Sequence, residues 1–393
     1  MASVNELNFN QVSTLLTSIV QQATGQKVLT PTNTSDFVSV ATTALKNGTD
    51  PVMSAITQMV SRTIFSIRPY SEKFKGLRVS SERWGNIVRK LNIADGAYID
   101  DTSFALPEDG QSVDMYKLRR PNILQTNFYG ANVFSIERSY FREQLECAFT
   151  GPEELASFYS MVTGNIMDMI ETAHENLKRA TLSNLIGGIV KGGRAEQVVH
   201  LLTEYNAKTG GKYTAVTIMA PDVYPDFMKF VYARIATVSA LLTERLQLHH
   251  INVTGKAITR HTPYENQRLY MYAPAMYEST ARAIADTYHD TFLRYADHET
   301  VNFWQAVDTP DTINVTPSYL QANGTITTPS EAVSVPKVFA LLCDEEACGM
   351  TVCNEWSATS PLNISGGYYN VAWHFTDRFW NDFTENAVVF TMD

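Results

Sequence analysis

The chain has 393 residues, a formal net charge of −10, 44% hydrophobic residues and only 18% charged ones. That length suits two or three ordinary domains, or one elongated subunit with interleaved parts. The acidic balance, with no basic cluster denser than Lys117, Arg119 and Arg120, excludes a protein that grips nucleic acid by its phosphates; if it meets DNA, it encloses it.

The first sixty residues read as three short amphipathic helices. Val12, Leu15, Leu16, Ile19 and Val20 share one face and Gly25 follows as a stop. Ser35 and Asp36 offer a cap to a helix bearing Phe37, Val40, Ala41, Ala44 and Leu45, which Asn47-Gly48 ends. Asp50-Pro51 opens a third, with Val52, Ile56, Met59, Val60 and Ile64 on its face. Short pieces on loose connectors suggest an arm that docks onto another surface rather than a compact domain.

From Ser66 to Ser139 the helical period fades. Short extended runs, Ala97–Ile99 and Val113–Tyr116, flank an acidic, turn-rich stretch, and Leu118 to Arg138 alternates in patches. This predicts a long two-stranded hairpin with an irregular tip. A hairpin of that kind does not stabilise itself in water, so it needs another surface, for which a neighbouring subunit is the natural candidate.

Thr150-Gly151-Pro152-Glu153-Glu154 then starts a helix, with Pro in the first turn and acids at the positive end of the dipole. Apolar residues recur from Leu155 and Phe158 through Ile166, Ile170 and Leu177 to Leu185. Gly187-Gly188 is the expected stop, giving a rod of about 50 Å at 1.5 Å per residue. Like the hairpin, this rod is expected to need copies of the same chain to cover its apolar face.

Mixed α/β patterning follows. Ala215–Met219 and Arg268–Tyr272 read as strands, and Pro221-Asp222 with Pro225 start a helix that runs to Leu242. Further helices carry Tyr277, Ala281, Ile284, Tyr288 and Phe292. Thr309–Pro336 reads as loop with short strands, Val338–Leu342 as a buried strand, Gly366-Gly367 as a turn, and Tyr368–Phe375 and Ala387–Phe390 as closing strands.

None of the motifs reads as an active site. Gly187 to Gly193 is rich in glycine around Lys191, but a phosphate loop needs Gly-Lys-Ser/Thr directly before a helix, and here the glycines follow one. His174-Glu175 has Lys178 where a zinc protease needs its second histidine, so a solvated helix face is expected. His249-His250 has no carboxylate at helpful spacing, and Tyr288-His289-Asp290 points its neighbours about 100° apart on a helix. Cys343, Cys348 and Cys353 lack Cys-x2-Cys spacing and read as packing cysteines, the fivefold spacing placing neighbours on opposite faces of a strand. No catalytic residue, metal or cofactor is assigned. The opening Met1–Glu6 has neither a basic nor an apolar leader region, and no apolar run reaches the roughly 18 residues of a membrane span. The expectation is a protein made in a reducing cytoplasm.

Two stretches carry a family likeness. Val338–Glu346, followed by Gly366-Gly367-Tyr368-Tyr369-Asn370-Val371-Ala372-Trp373-His374, is one; the closing Glu385-Asn386-Ala387-Val388-Val389-Phe390 is the other. With the order of the elements, they resemble the major capsid proteins of tailed double-stranded DNA phages of the Hong Kong 97 type, closest to those of small short-tailed phages. The resemblance covers essentially the whole chain and implies an α+β fold with an N-terminal arm over 1–65 and an extended loop over 66–140. A peripheral domain with a spine helix would cover 141–214, an axial α/β domain 215–340, and a return of the chain to both domains 341–393. It further implies pentamers and hexamers of an icosahedral head enclosing DNA, with a scaffolding protein, a portal and decoration or head-fibre proteins as partners. On the loop, Lys117, Arg119, Arg120 and Arg138 would meet Asp100, Asp101, Glu108 and Asp109 of adjoining subunits. An encapsulin-like compartment shell and a soluble α/β enzyme with its pocket in 215–340 are the alternatives. The Lys-Asn crosslinks of some family members name no partner asparagine here for Lys90 or Lys117.

Overall fold

The computed structural model describes residues 9–25, 30–46, 49–66, 74, 77–81, 87–94, 116, 122–129, 132–275 and 297–393. Helices α1 (Phe9–Thr24), α2 (Thr34–Lys46) and α3 (Thr49–Ser66) form where the apolar periodicity places them. Asn33 caps α2, its Oδ1 accepting the Asp36 N–H at 2.8 Å, in place of the expected Ser35 or Asp36.

Strand β1 (Arg78–Ser81) leads to the hairpin strands β2 (Ile87–Ile93) and β3 (Ile123–Tyr129), and β4 (Asn132–Phe141) follows. β2 and β3 pair antiparallel from Ile87↔Tyr129 to Ile93↔Ile123; the alternation of β3 is legible in the sequence, whereas the extended run read before the turn-rich stretch begins at Ala97 and misses β2. The runs Ala97–Ile99 and Val113–Met115 lie outside the described residues. Strands β1 and β4, which flank the hairpin, are the two edges of a four-stranded sheet. Its middle strands come from far along the chain: β13 (Cys348–Thr359) and β14 (Tyr368–Asn381).

One face of this sheet receives the N-terminal helices. Val12, Leu16 and Ile19 of α1, Phe37 of α2 and Met53 and Ile56 of α3 share a core with Ile136, Tyr140, Tyr369, Val371, Trp373 and Phe375. The arm-like helices do dock, and the surface that receives them belongs to the same chain. The hydroxyl of Tyr369 donates to the Asp50 carboxylate at 2.7 Å and ties α3 to the sheet.

After α4 (Arg142–Ala148) comes α5 (Pro152–Gly192), 41 residues or about 60 Å long. It runs straight through the expected stop at Gly187-Gly188. A Cβ on Gly187 would stand 2.5 Å from Val315 Cγ2, and one on Gly188 would stand 2.4 Å from Phe383 Cζ. These glycines let β8 (Ile313–Val315) and the Phe383 turn press against the helix; they do not end it. The apolar face of α5 is covered within the chain. Leu155, Phe158, Val162 and Ile166 enter the first core, while Leu182, Leu185, Ile186 and Ile189 enter a second. The rod therefore needs no neighbouring copy to bury it, contrary to the expectation.

The second core lies under a five-stranded sheet in the order β5-β15-β12-β6-β7, formed by β5 (Val198–His200), β6 (Gln267–Tyr272), β7 (Asp297–Val301), β12 (Val338–Asp344) and β15 (Ala387–Thr391). Every residue of β12 is buried, because both faces of the sheet are covered. Val338, Leu341 and Cys343 face α5. Phe339 and Leu342 face α6 (Leu201–Thr209) and α7 (Tyr224–Thr243), with Phe227, Val231 and Leu242. Strand pairs β8 with β11 (Val333–Val335) and β9 (Tyr319–Leu320) with β10 (Ile326–Thr327) fill the expected loop-rich stretch.

Three local expectations change. Ala215–Met219 is not a strand: it is a turn entering a 3-10 helix at Thr217–Met219, and Val216 is exposed. His174 does not sit on a solvated face; it is buried, with its Nε2 3.1 Å from Asp377 Oδ2 of β14. Glu175 instead accepts from Arg179 one helical turn on. Cys343 and Cys348 share one core, since they flank the turn between β12 and β13 rather than occupying one strand. They and Cys353 are buried and in no disulfide, as expected of packing cysteines. His249 and His250 are both buried; His250 stands between Ile258 O (2.7 Å) and Asn386 Oδ1 (3.2 Å), and burial lowers the pKa of each. The helices expected over 277–292 and the Tyr288-His289-Asp290 triplet lie outside the described residues.

Candidate subunit interface

Strand alternation divides the side chains of the hairpin between two faces. Arg89, Leu91 and Ile93 on β2, with Ile123, Gln125 and Asn127 on β3, lie on one face and are exposed. Leu91 is 61% exposed, Ile93 67% and Ile123 49%, so the subunit presents contiguous apolar surface at the Ile93–Ile123 end of the β2–β3 pair.

The opposite face turns to the body of the same subunit. Lys90 Nζ lies 2.8 Å from Asp382 Oδ2, 2.5 Å from Glu385 Oε1 and 3.4 Å from Glu346 Oε2. Asn92, also buried, accepts at Oδ1 from Arg260 Nη2 at 3.0 Å, and Arg260 pairs with Glu385 at 2.9 Å. Lys256 Nζ donates to the Ile123 carbonyl at 3.0 Å. On the body side the turn before β15 is fixed: Asp382 Oδ1 accepts from both the N–H and the hydroxyl of Thr384, and the Asp382 N–H donates to Ala347 O at 2.7 Å. Burial pulls the Lys90 ammonium pKa down, but Asp382 and Glu385 pull harder, and the net value is raised. Burial lifts the Glu385 carboxyl to about 6, against the pull of Lys90 and Arg260. The hairpin is thus half anchored at home and half open. Neither the pattern of β2 nor its composition reveals this, because the partners of Lys90 lie almost 300 residues away.

The outer face of the four-stranded sheet carries a second exposed group. Trp356 stacks on His374 with ring centroids 4.0 Å apart, Phe141 meets Tyr368 edge-on at 6.1 Å, and Val133 is exposed beside them.

Of the loop residues named from sequence, Lys117, Arg119, Arg120, Asp100, Asp101, Glu108 and Asp109 lie outside the described residues. Arg138 is on β4, exposed, with its guanidinium donating to Met169 Sδ on α5 at 2.7 Å; it belongs to the sheet edge rather than to the hairpin. Among the described residues, no group of three or more His, Cys, Asp or Glu side chains is placed to hold a metal ion, and no helix is long and apolar enough to cross a membrane.

The hairpin, the long helix and the two sheets form a fold that resembles solved phage capsid structures. The capsid structure of Staphylococcus phage Andhra superposes with a TM-score of 0.52 at 10% identity, covering 83% of this chain and 88% of that one. A chain in the structure of the head fibre and inner core protein gp22 of native bacteriophage P68 superposes equally well, with a TM-score of 0.52 at 10% identity and coverage of 83% and 86%. At that identity the likeness is one of fold. The chain belongs to the Phi29-like phage major capsid protein family, whose model matches residues 16–391. No curated protein sequence matches it. It is a structural component of the virion, not an enzyme, and it oligomerises into a capsid.

Proposed function

We propose that copies of this chain form the pentamers and hexamers of an icosahedral head around double-stranded DNA, with the open face of the β2–β3 hairpin as a contact between copies. The observation that carries this reading is the exposed apolar set Leu91, Ile93 and Ile123 on a strand pair whose other face is already tied down. Exposed apolar surface rimmed by polar residues marks a protein contact, and closed shells are built from repeated complementary edges. The test is the double variant Leu91→Asp, Ile93→Asp. The expected result is a folded subunit, by circular dichroism, that forms no particles by negative-stain microscopy; normal particles would refute the contact.

On this reading residues 1–65 are the N-terminal arm and 66–140 the extended loop. The peripheral domain with its spine helix spans 141–214, the axial domain 215–340, and the return of the chain to both spans 341–393. What supports the last division is the course of the chain: β12 and β15 lie in the five-stranded sheet, β13 and β14 in the four-stranded one. Assembly takes place in the host cytoplasm, with a scaffolding protein, a portal and decoration or head-fibre proteins as further partners. Lys117, Arg119, Arg120 and Arg138 meet Asp100, Asp101, Glu108 and Asp109 of adjoining copies. Rim pairs of this kind set register and association rate more than affinity. Changing Lys117, Arg119 and Arg120 together to Glu is expected to leave folded subunits that do not assemble. Particles of normal yield and diameter would remove the role.

A further inference from the structure

The hairpin is reached from opposite edges of the four-stranded sheet, through residues 82–86 on one side and 130–131 on the other. Among the described residues, the backbone pairing of that sheet reaches Ser81 on one side and Asn132 on the other. Across the gap, the side chains of β2 reach the body at Lys90 and Asn92, and both meet one compact cluster of charges. Arg260 joins the two contacts, because its Nη2 lies 3.0 Å from Asn92 Oδ1 and 2.9 Å from Glu385 Oε1. Its Nε donates to the Thr384 carbonyl at 3.0 Å, so the cluster is braced on the body side by backbone as well.

We propose that Lys90 is the positioning residue of the hairpin: its ion pairs with Asp382 and Glu385 set the angle at which the open face is presented to the next copy. The proposal rests on the reading of that open face as a contact between copies. A cluster of this kind suits a joint better than a glue. Removing charges from water offsets much of their attraction, so a buried pair specifies geometry more than it adds net stability. Lys90 is also the cation shared by three carboxylates from two separate body segments, and a single ammonium held this way fixes a direction.

The groups around Glu385 are Lys90 from β2, Arg260 from the segment after His250, and Asp382 in its own turn. Glu346 touches Lys90, and Asp344 and His250 adjoin through Thr262 and Asn386. The sign of the pH effect follows from these. The Glu385 carboxyl titrates at about 6 in the fold against an ordinary 4.5, so the folded chain holds its proton more tightly than the unfolded one. Glu385 by itself thus favours the fold below about 4.5, and that contribution is lost as pH rises through about 6. Because burial is the largest cause of the raised value, uptake of this proton favours the buried, docked arrangement, and the Lys90 pair with Asp382 holds without the Glu385 charge.

The experiment is amide hydrogen exchange of the full-length chain before particles form, on wild type, Lys90→Met, Lys90→Arg and Glu385→Gln. At pH 7.5, Lys90→Met should lower protection of residues 87–94 and 122–129 about tenfold, an order-of-magnitude figure for a lost charge pair, and leave 338–344 and 387–391 unchanged. Lys90→Arg should retain protection. Glu385→Gln, which leaves the Lys90 pairs with Asp382 and Glu346, should lose less protection than Lys90→Met. Unchanged hairpin exchange in Lys90→Met, or loss shared equally by the five-stranded sheet, would each overturn the joint. Exchange is read before assembly, so normal particles from the Leu91, Ile93 variant would sink the interface and leave the joint standing.

Discussion

Replacing Gly187 with leucine is expected to destabilise the subunit by about 3 kcal/mol, the upper end of the range for overpacking. In an open helix the change would be favourable, since glycine costs roughly 1 kcal/mol against alanine there. Here the new Cβ would stand 2.5 Å from Val315 Cγ2 and 3.4 Å from Pro317 Cγ. A β-branched side chain and a proline ring have little freedom to move aside. The helix is buried throughout Leu185 to Ile189, so it has no free side toward which to shift. Either α5 moves off the second core or the β8–β11 pair lifts away. Denaturant unfolding of the full-length chain reads the loss as a lower midpoint with an unchanged slope. A midpoint equal to that of the wild type would show that the close packing at Gly187 is not needed. Gly188→Leu should behave alike, against Phe383 Cζ and Cε1.

Trp373→Ala should be of similar size, with a loss of about 3–5 kcal/mol for a buried aromatic. Trp373 is 2% exposed and stands on the inner face of β14, opposite Ile136 of β4. It belongs to the core that joins the sheet to α1–α3 and to the first half of α5. A cavity there weakens the seat of the N-terminal helices as well as the sheet, because the same side chains serve both. Increased proteolysis within residues 9–66 should therefore accompany the stability loss. If truncation of Trp373 left both stability and protease resistance intact, the three helices would not depend on this sheet. Trp373→Phe keeps most of the ring volume and should lose less than half as much.

Sequence and structure agree best where a single element carries its own signal. The periodicity of α1–α3, the proline and acid start of α5, the alternation of β3, and the unbroken apolar run of β12 each depend on neighbours within a few residues. The sequence also carries the family likeness, in the Gly-aromatic turn at Gly366-Gly367 and in the Asn386–Phe390 strand. It misleads at residues whose meaning is set by distant partners. Gly187-Gly188 has the form of a helix stop, yet the helix continues because Val315 and Phe383 need the space that side chains would fill. His174 has the form of a surface residue but meets Asp377, 203 positions later. Ala215–Met219 has strand composition but forms no strand pairing in the structure, and takes a turn and a 3-10 helix instead.

By itself, then, the sequence determined the N-terminal helices, the start of the long helix, the buried strand β12 and the kinship with capsid proteins, since local periodicity and turn chemistry act over a few residues. Only the tertiary structure decided that the N-terminal helices and the long rod are buried within one subunit. It alone placed Lys90 among Asp382, Glu385 and Glu346, and left Leu91, Ile93 and Ile123 uncovered. Which face of a strand is already occupied depends on chain segments brought together by folding, and no local pattern records that.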